Sequence, residues 1–284
     1  MKKLTILGIC LILFATMGSC ASRNNEPLTI NIATFNVRFD NPRDGENVWA
    51  NRIDMVNGLI RFHDFHIWGS QEGLRHQLYD MAIENWAFVG VGRDDGITSG
   101  EHSAIFYRTD MFELVKHGDF WLSETPDRPS LGWDAICCFR LCTWAKFREK
   151  TTGTEFYVFN VHYDHQGVQA RINSSRLLRE KIAEIAGDAH VFAIGDFNAR
   201  PGAEPIEIMT RDGKFRDAFD VTLQPPYGPI GTFNGFRLDH PMDGRIDYIF
   251  VTEGVTVNRY GVLTDMRYGR FPSDHFPVVV NVTF

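Results

Sequence analysis

The chain has 284 residues, 44% hydrophobic and 23% charged, with 29 Lys+Arg against 36 Asp+Glu and five cysteines. This composition excludes a disordered polyelectrolyte, a collagen-like repeat and a disulfide-stapled miniprotein, and the length suffices for one large domain with a buried core. A net charge of −7 also argues against a protein that coats nucleic acid, because an acidic surface gains little from displacing counterions.

The chain opens on a basic Met1-Lys2-Lys3, an almost wholly apolar run from Leu4 to Phe14, and a small-residue exit from Ala15 to Cys20. The apolar run is shorter than the roughly 20 residues a spanning helix needs, so it predicts a secretory signal over residues 1–19. Met17-Gly18-Ser19-Cys20 resembles a bacterial lipobox, which implies cleavage before Cys20 and lipidation of its thiol. Residues 20–27 are then a polar tether and the folded domain runs from 28 to 284. The expectation is an exported protein on the periplasmic or cell-surface side that meets a membrane only through its lipid. Loss of residues 1–19 removes two lysines and no acid, which leaves 27 basic against 36 acidic residues and a net charge of −9.

From Leu28 onward, short strand patterns alternate with amphipathic helices. Leu28 to Phe35 predicts a strand with Ile30 and Ile32 on one face. Val48 to Phe62 places Trp49, Ile53, Val56 and Ile60 at helical spacing. Phe65–Trp68, Ala87–Val91 and Ala104–Tyr107 read as strands around a helix at Leu74–Glu84. Phe120, Arg140–Phe147 and Glu155–Val161 continue as strands, and Gln169–Ala186 forms a long helix stopped by Gly187. Val191–Ile194, Ile246–Val251, Val255–Leu263 and Phe276–Phe284 complete the strand set. Trp121 to Asp134 is too long and proline-rich for a tight turn and predicts a surface excursion. Cys137, Cys138 and Cys142 fall in a strand-like run; in an extended strand Cys138 and Cys142 stand about 13 Å apart, too far for a disulfide, so all three are expected to be packed side chains. No linker divides the chain, and the expected fold class is α/β with mixed sheets and outer helices.

Six polar clusters sit at the ends of these strands: Asn36-Val37-Arg38, Gln71-Glu72, Asn160-Val161-His162-Tyr163-Asp164, Gly195-Asp196-Phe197-Asn198, Arg245-Ile246-Asp247-Tyr248 and Ser273-Asp274-His275. Each alone reads as an ordinary turn or cap. Together they predict a single cleft, because strand ends on one edge of an α/β sheet converge. In this order they resemble the endonuclease/exonuclease/phosphatase superfamily of DNase I-like nucleases, deadenylases, inositol phosphatases and sphingomyelinases. The resemblance covers about residues 28–284, and Gly-Asp-x-Asn and Ser-Asp-His are its most specific parts. It implies a four-layered α/β sandwich, two mixed β-sheets face to face with helices outside.

The resemblance also implies roles. Glu72 is the principal ligand of Mg²⁺, with Mn²⁺ as the alternative, and Asn36 and Asp274 help to hold the ion and its waters. A second cation near Asp196 and Asn198 is an open alternative. His275 is the general base or a phosphate-contacting imidazole, and Asp247 fixes its tautomer. Asp196 orients or deprotonates the attacking water, Asn198 donates to the phosphoryl oxygens, and His162, paired with Glu101, stabilises the transition state or protonates the leaving group. Arg38, Asp40, Glu101 and Asp164 are weaker substrate-binding candidates. Arg38 and His162 stand where base-excision nucleases carry an acid and a tyrosine, which points away from abasic-site repair.

The expected activity is metal-dependent hydrolysis of a phosphodiester or phosphomonoester by in-line attack of water, since a hard cation offsets charge on the phosphoryl group. The substrate is a phosphate ester whose identity the sequence leaves open. The alternatives are an extracellular nuclease, with nucleic acid as substrate, or a non-catalytic binding lipoprotein on the same fold. Intact acidic and histidine clusters speak against the last.

Overall fold

The alternation of β1 (Thr29–Asn36) explains how the layers form. Ile30 and Ile32 point one way into an apolar core with Ile67, Phe147, Phe156, Phe192 and Val280. Ala33 and Phe35 point the other way, onto Trp49, Val56, Leu59 and Leu78. A strand whose two faces are both apolar is a strand buried on both sides. The computed structural model describes residues 27–284 together with Met1, so the expected signal at 1–19, Cys20 and the tether up to residue 26 lie outside the described residues.

Two six-stranded sheets result. The first joins β1 to β2 (Ile67–Gln71), β3 (Trp86–Val89), β4 (Ile105–Arg108), β11 (Thr256–Val262) and β12 (Val278–Thr283), in the order β11-β12-β1-β2-β4-β3. The second joins β5 (Phe112–Trp121), β6 (Leu141–Glu149), β7 (Glu155–His162), β8 (Val191–Asp196), β9 (Phe215–Asp217) and β10 (Asp247–Thr252), in the order β5-β6-β7-β8-β10-β9. Among the described strand pairs β1–β2 and β7–β8 run parallel and the others antiparallel, so both sheets are mixed. Helices α1 (Trp49–Phe62) and α2 (Arg75–Met81) cover the first sheet. Helices α3 (Val168–Ala186) and α4 (Glu204–Thr210) cover the second, with Leu178, Ile182 and Met209 against Phe159, Ala193 and Phe250. The order helix, sheet, sheet, helix is the four-layered sandwich expected from the sequence, with a single-turn α5 (Ala218–Val221) at its edge. No described helix is long and apolar enough to cross a membrane.

Register brings the polar strand tips to one end. Parallel pairing sets Asn36 beside Gln71 and His162 beside Asp196, and antiparallel pairing sets Asp247 beside Asp196. Just beneath, the two sheets are stapled by Asn160. Its Oδ1 accepts Gln71 Nε2 at 2.7 Å, and its Nδ2 donates to the carbonyls of Ser70 and Ala104. Gly69 makes room for this amide, since a Cβ there would stand 2.5 Å from the Asn160 side chain.

Several expectations need correction. The strand holding Phe120 is a ten-residue edge strand, β5, in which Glu113, Lys116 and His117 obscure the apolar alternation and a bulge interrupts the register between Leu114 and Lys116. The helix expected at 74–84 is shorter, ending at Met81. Of the three cysteines only Cys142 is a buried strand residue. Cys137 and Cys138 precede β6 and form a disulfide with each other, their Cα atoms 3.7 Å apart. The separation estimate for Cys138 and Cys142 says nothing about neighbours one peptide apart, which lie within closing distance by covalent geometry.

Candidate active site

At the converged strand tips lies a cleft of about 700 Å³ lined by Arg38, Phe39, Glu72, Arg93, Glu101, Cys138, Arg140, His162, His165, Asp196, Asn198, Phe233, Ile246, Asp274 and His275. Three residues at its edge, Arg38, Glu72 and Asn198, hold positive φ angles of 58°, 65° and 47°. Non-glycine residues rarely adopt this conformation, and it is typical of sites where surrounding contacts override local preference.

One wall is acidic. Asn36 donates through Nδ2 to both Glu72 Oε1 and Asp196 Oδ2, each at 3.1 Å, while its own Oδ1 accepts the Arg38 amide. The second oxygen of Glu72 accepts the Phe39 amide at 3.2 Å. Ser273 Oγ donates to the Asn36 carbonyl at 2.7 Å, which ties the segment carrying Asp274 to the end of β1. Arg38 is ion-paired with Asp44 at 2.9 Å and reaches within 4 Å of both Glu72 and Asp274. Burial raises the Asp274 carboxyl above the usual range. Glu72 and Asp274 are hard oxygen donors of the kind Mg²⁺ or Mn²⁺ takes together with water, whereas Asn36 presents its N–H groups to the carboxylates and gives its oxygen to the Arg38 amide.

The opposite wall carries the imidazoles. His275 Nδ1 donates to Asp247 Oδ2 at 2.9 Å, and its Nε2 stands 3.9 Å from Asp196 Oδ2. The ligand-type atoms of Asp196, Asp247 and His275 all lie within 4.8 Å of one another. Burial by itself works against a charged His275, but Asp247, then Asp196 and Asp274, outweigh it and lift its pKa to about 10. Burial and then Asp247 raise Asp196 well above an ordinary carboxyl. His162 behaves oppositely: burial, then Arg140 and Arg93, hold it neutral. Its Nε2 faces Asp196 Oδ2 at 3.5 Å and its Nδ1 faces Glu101 Oε2 at 3.8 Å. Two of the cleft's imidazoles, one cationic and one neutral, therefore face the same oxygen of the buried Asp196, a division of charge suited to moving a proton.

Asn36, Glu72, His162, Asp196, Asn198, Asp247, Asp274 and His275 are thus brought together, with Arg38 and Glu101 on the cleft wall. Asn198 uses Nδ2 toward the Tyr163 carbonyl and its main-chain N–H toward Asp196 Oδ1. Asp40 and Asp164 are engaged otherwise. Asp40 accepts the Trp49 amide and pairs with His76, while Asp164 accepts the Gln166 and Gly167 amides with one oxygen and turns the other toward Arg140 Nε, 3.8 Å away, beside the cleft.

The pattern defining the endonuclease/exonuclease/phosphatase family matches residues 33–275. The chain belongs to this family. A crystal structure of an endonuclease/exonuclease/phosphatase family protein from Bacteroides thetaiotaomicron is 42% identical, spans 91% of this chain and 99% of its own, and superposes with a TM-score of 0.88. A mannosyl-6-phosphatase of the same organism is also 42% identical, over 90% of this chain and all of its own, with a TM-score of 0.86. An uncharacterised protein of Acanthamoeba polyphaga mimivirus is 28% identical over 259 residues, 82% of this chain and 91% of that protein. Endonuclease/exonuclease/phosphatase enzymes hydrolyse phosphate esters, which is what an acidic wall facing an Asp–His pair can do.

Sequence reasoning missed two arginines at this site. Arg140 read only as the start of a strand and is taken up below. Arg52 sits on the apolar face of α1, one turn from Trp49 and Val56, where a charged residue at core spacing was the available signal. It is 1% exposed, and its guanidinium donates to the carbonyls of Asn47, Val37, Pro272 and Arg38 at 2.7–3.1 Å. It thereby joins the segment after Asn36 to the one before Asp274. Arg52→Met keeps the stem and orphans those carbonyls. It is expected to cost about 2–4 kcal/mol in urea unfolding, together with roughly tenfold in kcat. Loss of stability without any loss of turnover would separate Arg52 from the site.

Proposed function

We propose that this chain is a metal-assisted hydrolase of phosphate esters, and that its substrate is a phosphorylated carbohydrate. The observation that carries the reading is the His275–Asp247 pair standing across Asp196 from Glu72 and Asp274 in one cleft. Likeness to a mannosyl-6-phosphatase at 42% identity over nearly the whole chain supports the sugar. The chain's net negative charge weighs against nucleic acid.

Glu72 and Asp274 would hold the cation, with Asn36 fixing the Glu72 carboxylate, and the ion would offset charge on the phosphoryl and leaving oxygens. Asp196, its pKa raised by burial, accepts the proton of the attacking water. Water oxygen bonds to phosphorus in line with the ester bond, that bond breaks, and the departing oxygen ends as a hydroxyl. His275, kept cationic by Asp247, donates through Nε2 to the phosphoryl group or the leaving oxygen. Asn198 orients Asp196 through its main-chain N–H. A panel of sugar phosphates, inositol phosphates, sphingomyelin, oligo-RNA and plasmid DNA, assayed on residues 21–284 with Mg²⁺ and with EDTA, tests this. Turnover of phosphorylated sugars that EDTA abolishes is expected. Turnover of none under any divalent metal favours the binding lipoprotein, and turnover of nucleic acid alone favours the nuclease.

From Met17-Gly18-Ser19-Cys20 we also infer export and a lipid anchor at Cys20. Cys20→Ala is expected to move the protein from the membrane to the soluble fraction. A wild-type protein already soluble and unlipidated defeats this.

A further inference from the structure

Two guanidiniums stand in the cleft wall with donors that no described residue meets. Arg140 is only 7% exposed. Its Nη2 donates to His165 Nδ1 at 3.0 Å, while Nε and Nη1 are buried without a partner. Asp164, the acid beside it, stands 3.8 Å from Nε, beyond hydrogen-bond range. Arg93 gives Nη1 to Glu101 Oε2 at 2.5 Å, and its buried Nε makes no hydrogen bond, with Asp94 Oδ1 3.8 Å away. Both arginines line the cleft and share a recess with Glu101 and the edge of His162 that faces away from Asp196.

Buried donors without acceptors are costly and uncommon, so a cleft that keeps three of them is shaped for an acceptor that arrives with the substrate. Arginine's planar fork matches an oxyanion, and although Glu101 and Asp164 offset the charge of the two guanidiniums, the unmet N–H groups remain directed donors for a further oxygen. The number of terminal oxygens then decides. A phosphodiester offers two terminal oxygens and one charge, which a cation held by Glu72 and Asp274 and the His275 imidazole would serve. A phosphomonoester adds a third oxygen and a second charge, and needs further cationic donors. A diester would instead place an alkylated oxygen against these guanidiniums and leave them unmet.

We propose that Arg140 and Arg93 form the subsite for the third terminal oxygen of a phosphomonoester dianion, which makes the cleft selective for monoesters over diesters. This rests on the hydrolase reading above and narrows its substrate class.

The test compares p-nitrophenyl phosphate with bis-p-nitrophenyl phosphate in Mg²⁺. The wild type is expected to favour the monoester in kcat/KM by about 100-fold, as two charged hydrogen bonds allow. Arg140→Gln should cut monoester kcat/KM by about 100-fold but the diester value by only about 3-fold, and weaken inhibition by inorganic phosphate about 10-fold. Arg140→Lys, which keeps charge without the fork, should fall between. Arg93→Gln, at a less buried position, repeats the comparison should Arg140→Gln fail to fold. A wild type that prefers the diester, or variants that lose both activities by the same factor, overturn the subsite while the hydrolase reading stands. If the wild type turns over neither ester and no sugar phosphate under any divalent metal, the hydrolase reading fails and phosphate binding by calorimetry decides. Binding weakened about 10-fold in Arg140→Gln keeps the anion subsite, and equal binding removes it.

Discussion

Glu72→Gln is expected to lower kcat/KM for a phosphorylated sugar by about 10³-fold, or about 4 kcal/mol of transition-state stabilisation. Glutamine preserves the shape of the side chain and can still accept the Phe39 amide, so the loss reports charge rather than folding. Glu72 stands at the end of β2 in a left-handed conformation, with one oxygen held by Asn36 and the other by a main-chain amide. A carboxylate fixed this way needs no rearrangement to accept a cation, which is the condition for strong electrostatic assistance. Rates measured against Mg²⁺ concentration should show a weaker apparent affinity for the ion, and saturating Mg²⁺ should recover part of the loss. An unchanged melting temperature with a deficit below about 3-fold at saturating metal would sink the assignment of Glu72.

Asp247→Asn is expected to reduce kcat by about 10³- to 10⁴-fold with the fold intact, the scale seen when an imidazole loses the anion that orients it and stabilises its charge. The effect should depend on pH in a definite direction. Asp247 is the main reason His275 keeps its proton up to about 10. Removing that anion lowers the imidazole pKa, so the cationic form is lost at lower pH. The same carboxylate helps to raise Asp196, after burial, so the pKa of the proposed base falls too. Both limbs of the kcat profile therefore move toward acid, and residual activity should peak at lower pH than in the wild type. A variant with wild-type kinetics, or a profile displaced toward alkali, would mean that Asp247 does not govern His275.

The parts of this molecule legible in sequence were those that local pattern determines. The alternation in Leu28–Phe35 and the helical spacing of Trp49, Val56 and Ile60 foretold a strand buried on both faces and the helix that covers it. Glu72, Asp196, Asp247 and His275 were found because each adjoins an apolar strand, and the parity of strand pairing then brings them to one end. What stayed hidden depends on contacts between distant segments. Arg52 acts through carbonyls as far off as Pro272, and Arg140 acquires meaning only because β6 lies beside β7 and its His162. The charged face of β5 hid an edge strand, since an edge can carry polar residues without breaking the sheet. Asp40 looked like a cleft residue by proximity in sequence, yet its carboxylate serves the Trp49 amide and His76, while Asp164 spends one oxygen on main-chain amides and turns the other to Arg140.

The direction of β1 has a consequence for where such an enzyme could work. The strand begins at Thr29, where the chain enters the domain, and ends at Asn36 in the cleft, so the reaction centre lies about 23 Å from the point of attachment. If Cys20 carries lipid, residues 20–27 add up to about 26 Å of reach when fully extended. A tether of that reach is longer than β1 and would leave the domain free to turn, so the cleft would meet both dissolved molecules and the membrane surface.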